Sequence, residues 1–167
     1  MNDDPAALEL IYDGFGRRLY GYLLSILCSE EQAEEVPQDL FVAIAEKRHR
    51  IARAGNLTGY LFAMARNCAM DFLRHERRER REDGIGDRES FLVAAGPAQG
   101  TTDGEAAKVS HALRALPVEQ REVICMKLFE ELTFNEIAQT LGLSLNTVAS
   151  RYRYGMEKLR REMSGGG

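Results

Sequence analysis

Between Leu8 and Ile26 the apolar residues fall at Leu8, Ile11, Tyr12, Phe15, Leu19, Tyr22, Leu23 and Ile26. These are the three- and four-residue intervals of one helical face, so the segment reads as a single amphipathic helix despite Gly14, Gly16 and Gly21, which weaken it. The stretch "SEEQ" follows. Ser29 is placed to cap a second helix through "AEEVPQDLFVAIAEK", with Gln32 reaching back to complete a capping box. A kink or restart is expected at Pro37, because proline removes one backbone hydrogen bond and clashes with the carbonyl of Ala33. A third helix, from about Leu57 to Glu82, turns Leu61, Met64, Ala65, Cys68 and Phe72 to one side and then becomes "RHERRERRE". Three such helices suffice for a small bundle.

The pattern lapses over residues 83–106, "DGIGDRESFLVAAGPAQGTTDGEA", where Gly, Ala and polar residues carry no helical period and only Phe91, Leu92 and Val93 form a compact apolar patch. That composition is a linker's. Helical spacing returns in "KVSHALRALP", in a helix after Pro117 beginning "VEQREVICMKLFEEL", and in "LTFNEIAQTLGLSLNTVASRYRYG". In the last stretch Thr133 and Glu136 form a capping box, Ile137 and Leu141 face inward, and small Ala138 permits close helix approach. Gly142 supplies a turn, Leu143 plugs the corner and Ser144 caps a final helix on which Leu145, Val148, Tyr152, Met156 and Leu159 recur at helical intervals. The expectation is an all-α protein of two small helical domains, residues 1–82 and 107–167, joined by a flexible linker over 83–106. The second domain is a four-helix unit containing a helix-turn-helix, and the two domains are expected to orient independently.

Composition and the motifs present lead to the expectation of a globular protein that is not an enzyme. Of its 167 residues 44% are hydrophobic, enough for a core, and no apolar run approaches the roughly 20 residues that span a bilayer. The N-terminus "MNDDPAALEL" is acidic where a secretory leader would be basic and then apolar, so the expectation is a cytoplasmic protein without membrane insertion. Cys28, Cys68 and Cys125 are scattered in apolar helical patterns, as are His49, His75 and His111, so neither disulfide, metal nor cofactor is expected. Phosphate-loop and nucleophile-elbow motifs are also missing.

Charge is the more informative quantity. The net charge is −4, but Lys and Arg number one against five Asp and Glu over residues 83–106 and nine against seven over 107–167. From Leu145 to Arg161 there are five basic residues and one acidic. Ala138, Gly142 and Val148 stand where a helix-turn-helix needs a small contact residue, a turn tolerant of positive φ and an apolar anchor. The outward face carrying Asn146, Thr147, Ser150, Arg151 and Arg153 suits groove and phosphate contacts, for which local rather than net charge matters.

The ordered set "AEEVPQDLF", "LTGYLFAMARNCAMDFLR" and "LPVEQREVICMKLFEELTFNEIAQTLGLSLNTVASRYR" resembles a bacterial extracytoplasmic-function sigma factor over nearly the whole chain. The resemblance implies a transcription initiation factor whose first domain docks on the clamp helices of RNA polymerase core and opens the minus-10 element. Its second domain would bind the minus-35 element and meet the polymerase flap, with an anti-sigma factor as a further partner. By position, Glu35, Gln38, Asp39 and Phe41 match the core-binding segment, with Val36 and Leu40 as packing. Asn56 to Phe62 match the part that handles single-stranded minus-10 bases, and Tyr60 stands where a Trp is usual yet can still stack on a base. Arg66, Asn67 and Asp71 match the family's "ARN" and its following Asp, while Arg74, Arg77, Arg78, Arg80 and Arg81 would meet phosphates. Asn146, Thr147, Ser150, Arg151 and Arg153 would face the minus-35 DNA, with Arg151 reading or positioning it. The linker would thread the polymerase near the RNA exit path. Pro37, Ala149 and the pair Tyr154–Gly155 depart from the family pattern. The competing readings are a decoy that sequesters an anti-sigma factor, and a stand-alone helix-turn-helix regulator.

Overall fold

A computed structural model of the chain describes residues 5–82 and 104–165, and side chains for all of these except 5 and 105–107. The linker segment thus lies outside the described residues, Phe91, Leu92 and Val93 included, save for 104–106, which already belong to a helix. Eight helices and no strand make up the described residues: α1 (Pro5–Leu27), α2 (Glu30–Glu46), α3 (Arg48–Ile51), α4 (Leu57–Glu82), α5 (Gly104–Arg114), α6 (Val118–Leu128), α7 (Phe134–Leu141) and α8 (Leu145–Ser164).

The first unit is a bundle of α1, α2 and α4. Leu19, Leu23 and Ile26 of α1, Val36, Leu40 and Ile44 of α2, and Leu61, Phe62 and Ala65 of α4 are all but fully buried. The restart expected at Pro37 does not occur, since α2 runs as one helix from Glu30 to Glu46 with Pro37 inside it. Val36, Leu40 and Ile44 recur at intervals of four on both sides of the proline, so their shared burial holds the two halves in one helix against the roughly 3 kcal/mol cost of the imino acid. Ser29 caps α2 as expected, its side chain accepting from the Gln32 amide. Gln32 does not reach back, because its side-chain amide donates to Glu76 of α4 at 2.9 Å. Tyr12, read as inward-facing, is 61% exposed and lies with its ring 5.1 Å from that of Phe41.

In the second unit both halves of the α7 capping box form: Glu136 N donates to Thr133 Oγ1, and Thr133 N donates to the Glu136 carboxylate at 2.7 Å. Gly142 ends α7 at φ 65°, a left-handed conformation that glycine adopts without strain. Ser144 then caps α8 through the Thr147 amide at 3.1 Å, and Val148 is fully buried, but Leu145 is turned outward and 46% exposed. A smaller cluster of Ala112, Leu113, Leu116, Ile124 and Leu159 closes α5, α6 and α8 together.

The two units do not stand apart. Val123, Cys125, Met126, Leu132, Ile137 and Val148 belong to the same buried cluster as Leu19, Tyr22, Leu23 and Phe62. α6 lies along α1, α7 lies on α4, and all six residues from Arg121 to Met126 are buried because α6 is surrounded on every side. Independent orientation is therefore not what the structure shows; the described halves are docked.

Candidate nucleic-acid and polymerase interfaces

On α2 the helical period sends Val36 and Leu40 inward, 1% and 0% exposed, and leaves Glu35, Gln38 and Asp39 on the surface. Phe41 is half-buried beside them. Between α1 and α2 runs an open groove of about 930 Å³ whose floor and rim include Leu8, Tyr12, Gly16, Tyr20, Pro37, Gln38 and Phe41. Its α1 side was hidden from sequence reasoning, because Tyr12 carries the spacing of a core residue.

At the start of α4, Asn56 is occupied structurally. Its side-chain oxygen accepts from the Gly59 amide at 2.9 Å, satisfying one of the free N–H groups of the first turn. Tyr60 is half-buried, but Phe62 is completely enclosed, edge-on to Tyr22 at 5.3 Å, and its ring does not face a base here. That corrects the placing of Phe62 among the minus-10 residues: two positions beyond half-buried Tyr60, α4 already turns its side chain into the core. Further along α4, Asn67, Asp71, Arg74, Arg77 and Arg78 are exposed, with Arg74 paired to Asp71 at 3.1 Å.

Along α8, Asn146 and Arg153 are exposed, Arg153 lying over the Tyr154 ring at 4.9 Å. Ser150 is half-exposed, and Thr147 is drawn into the cap through a 2.8 Å contact with the Ser144 hydroxyl. Arg151 does not share the outward face.

Arg151 turns instead towards Glu122 of α6, as does Arg66 from α4. Glu122 has 1% of its side chain exposed; Arg66 Nε donates to one carboxylate oxygen at 2.8 Å and Arg151 Nη1 to the other at 3.5 Å. Burial pushes the Glu122 carboxyl above its usual range, against the pull of Arg66 and Arg151. For Arg66 the attraction outweighs burial, and its guanidinium is held more firmly charged. Sequence reasoning passed over Glu122 because it is one acid in a helix with several. Its signal was the break in amphipathic spacing within "REVICM", where charged and apolar residues adjoin without a polar face.

Three more contacts join the units. Arg18 of α1 pairs with Glu130 at 2.7 Å, and Glu130 is itself only 5% exposed. Arg121, 4% exposed, donates to the Ser25 carbonyl and to the Cys28 sulfur at the end of α1. At Gly59 a β-carbon would come within 2.9 Å of Thr140 Oγ1, so the missing side chain is what lets α7 settle on the first turn of α4. Among the described residues no group of three or more His, Cys, Asp and Glu could hold a metal ion, and no helix is long and apolar enough to cross a membrane.

Comparison with known proteins follows the same division. The family model for Sigma-70 region 2 matches residues 11–79, and that for Sigma-70, region 4 matches residues 112–161. The ECF RNA polymerase sigma factor RpoE of Cereibacter sphaeroides is 32% identical over 163 residues, covering 96% of this chain and 88% of that protein. Two solved structures share the fold. The sigma factor RpoE of Bartonella quintana, in complex with the anti-sigma factor NepR, superposes with a TM-score of 0.70 at 24% identity, over 90% of this chain and 92% of that one. CnrH, in complex with the cytosolic domain of CnrY, gives 0.73 at 22% identity over 99% and 92%.

Proposed function

The chain belongs to the family of extracytoplasmic-function RNA polymerase sigma factors, and from that premise we propose which of its residues meet polymerase and which meet promoter DNA. As such a factor it is a transcription initiation protein that directs RNA polymerase to promoters. It works in the cytoplasm, as a specificity subunit without catalytic residues of its own. The organisation we assign is a first unit over residues 1–82, a second unit carrying residues 107–167, and between them a linker that ends where α5 begins at Gly104 rather than at 106.

The α2 surface of Glu35, Gln38, Asp39 and Phe41 docks on the polymerase clamp helices, and the groove floored by Pro37 extends that surface to Tyr12 of α1. The second unit meets the flap. At the lip of α4, Asn56 and Tyr60 handle unpaired minus-10 bases, with Tyr60 as the stacking platform. Arg66, Asn67, Asp71, Arg74, Arg77 and Arg78 lie along the adjoining duplex. Asn146, Thr147, Ser150, Arg151 and Arg153 serve the minus-35 element. An anti-sigma factor is a further partner, as the complex of the Bartonella protein suggests.

The observation that carries the minus-35 assignment is the geometry of α8, with Val148 buried while Asn146 and Arg153 stand exposed on a helix capped for groove entry. The experiment is promoter-dependent RNA synthesis by purified core polymerase with and without the chain. A decoy or a stand-alone repressor gives none. Within the same assay, Asn146→Ala at the N-terminal end of α8 removes a base contact, costing about 1–3 kcal/mol at one promoter position. Arg153→Ala weakens all sequences alike and lowers the salt slope by about one. The reverse pattern refutes these two roles.

A further inference from the structure

We propose that Cys28 and Cys125 form a peroxide-sensitive dithiol which, on oxidation, bonds the first unit to the second and lowers the factor's activity. All three cysteines are free in the structure, and these two stand far apart in the sequence. Three observations nevertheless converge on the end of α1. Cys28 follows Leu27 at φ 56°, the left-handed conformation that glycine or asparagine ordinarily supplies where a helix ends, so a cysteine is held there at some cost in strain. Its thiol donates to the Ser25 carbonyl at 3.4 Å, and the Cys125 thiol of α6 is hydrogen-bonded to Ser25 as well. Arg121, one helical turn before Cys125, donates to the Cys28 sulfur, while its own Nε is buried without a hydrogen-bond partner among the described residues. Two thiols and a guanidinium, drawn from both units, thus meet around one serine.

The two sulfurs have different parts. Cys28 is half-exposed, so hydrogen peroxide can reach it, and the Arg121 guanidinium stands where the attacking sulfur is most negative. Cys125 is 1% exposed, and burial pushes its thiol up to about 11, which keeps it protonated and out of the first step. Cys28 attacks the peroxide: an S–O bond forms, the O–O bond breaks, and the departing hydroxide leaves with the thiol proton as water. Cys125 then attacks the sulfenic sulfur: the S–S bond forms, the S–O bond breaks, and its proton leaves with the hydroxide as a second water. Two thiols give up two electrons and one peroxide becomes two waters. Cys68 stays outside this exchange, on α4, where burial and the Asp39 and Asp71 carboxylates raise its thiol. The bond fixes α1 against α6. On the residue roles assigned above, on which this consequence rests, α2 and the second unit meet different surfaces of polymerase, and a chain held at one spacing cannot adjust to both.

The test treats the full chain with hydrogen peroxide, which catalase removes before any assay. Peptide mapping without reductant should find Cys28 linked to Cys125 with Cys68 free, and dithiothreitol should reverse the link. Cys28→Ser should give no link, and Cys125→Ser should leave Cys28 as a sulfenic acid that dimedone traps. Transcription is then measured with purified core polymerase on a promoter that the reduced factor selects from random duplexes. Oxidised wild type should transcribe several-fold less, dithiothreitol should restore it, and Cys28→Ser should transcribe equally before and after peroxide. Oxidation confined to Cys68, overoxidation of Cys28 without a link, or a linked chain that transcribes like the reduced one overturns the proposal. Absence of transcription from reduced wild type would instead strike the assignment of residue roles, on which the peptide map does not depend.

Discussion

At position 155 a β-carbon would meet Ile124 Cδ1 at 2.7 Å and Gln120 Cβ at 3.1 Å, which is how α8 approaches α6 so closely. The departure at Gly155 from the family pattern therefore belongs to packing, while Tyr154 beside it stands exposed. Gly155→Val should destabilise the chain by about 1–3 kcal/mol through overpacking, read as a lowered midpoint in urea. A neutral result would mean that Ile124 yields freely. The capping box offers a second residue-scale test. Hydrogen bonds from the Thr133 amide and hydroxyl hold the Glu136 carboxyl below its usual value of 4.5. A carboxyl depressed in the folded state stabilises above its unfolded value, and that contribution is lost as pH falls through the folded one. Comparing urea midpoints well above and well below that range, the wild type should lose more stability on acidification than Glu136→Gln, whose amide can make the same reach-back bond without titrating. Equal losses would show that the box is pH-neutral.

Among the elements, α2 is the one whose sequence argued against its own continuity. Replacing its imino acid by Pro37→Ala restores a backbone donor to the Ala33 carbonyl and should raise stability by about 1–3 kcal/mol in urea unfolding. It also removes a ring from the floor of the α1–α2 groove. If the groove belongs to the polymerase surface, affinity for core polymerase should fall even as stability rises; unchanged affinity would confine docking to the outer face of α2. Helix positions and caps were legible because they are local: the bounds of α4, the Thr133 box, the Ser29 and Ser144 caps and the glycine turn each depend on residues within one turn of one another. What spacing could not supply was the destination of a face. Tyr12 and Leu145 carry the intervals of buried residues but meet solvent, and Gln32 left its cap for a carboxylate 44 residues away, because tertiary neighbours decide among the options that periodicity permits.

For the whole molecule, a docked chain of this length should scatter as one compact particle, with a radius of gyration near roughly 15 Å plus whatever residues 83–103 add. A broad distribution of much larger values would show that the docked arrangement is a minor state in solution. This level of organisation was the least legible in the sequence. Membership of the family and the candidate residues could be read from ordered motifs, but nothing local to Arg66, Glu122 or Arg151 announces that residues 56 and 29 positions apart share one buried site. The shared carboxylate has a consequence for how the two halves depend on one another. With Arg66 of α4 on one oxygen and Arg151 of α8 on the other, loss of either guanidinium leaves Glu122 one partner, whereas loss of both leaves a buried carboxylate with neither arginine. What one arginine contributes therefore depends on whether the other is present, and a change on the last helix is felt at the first unit through a single side chain of α6.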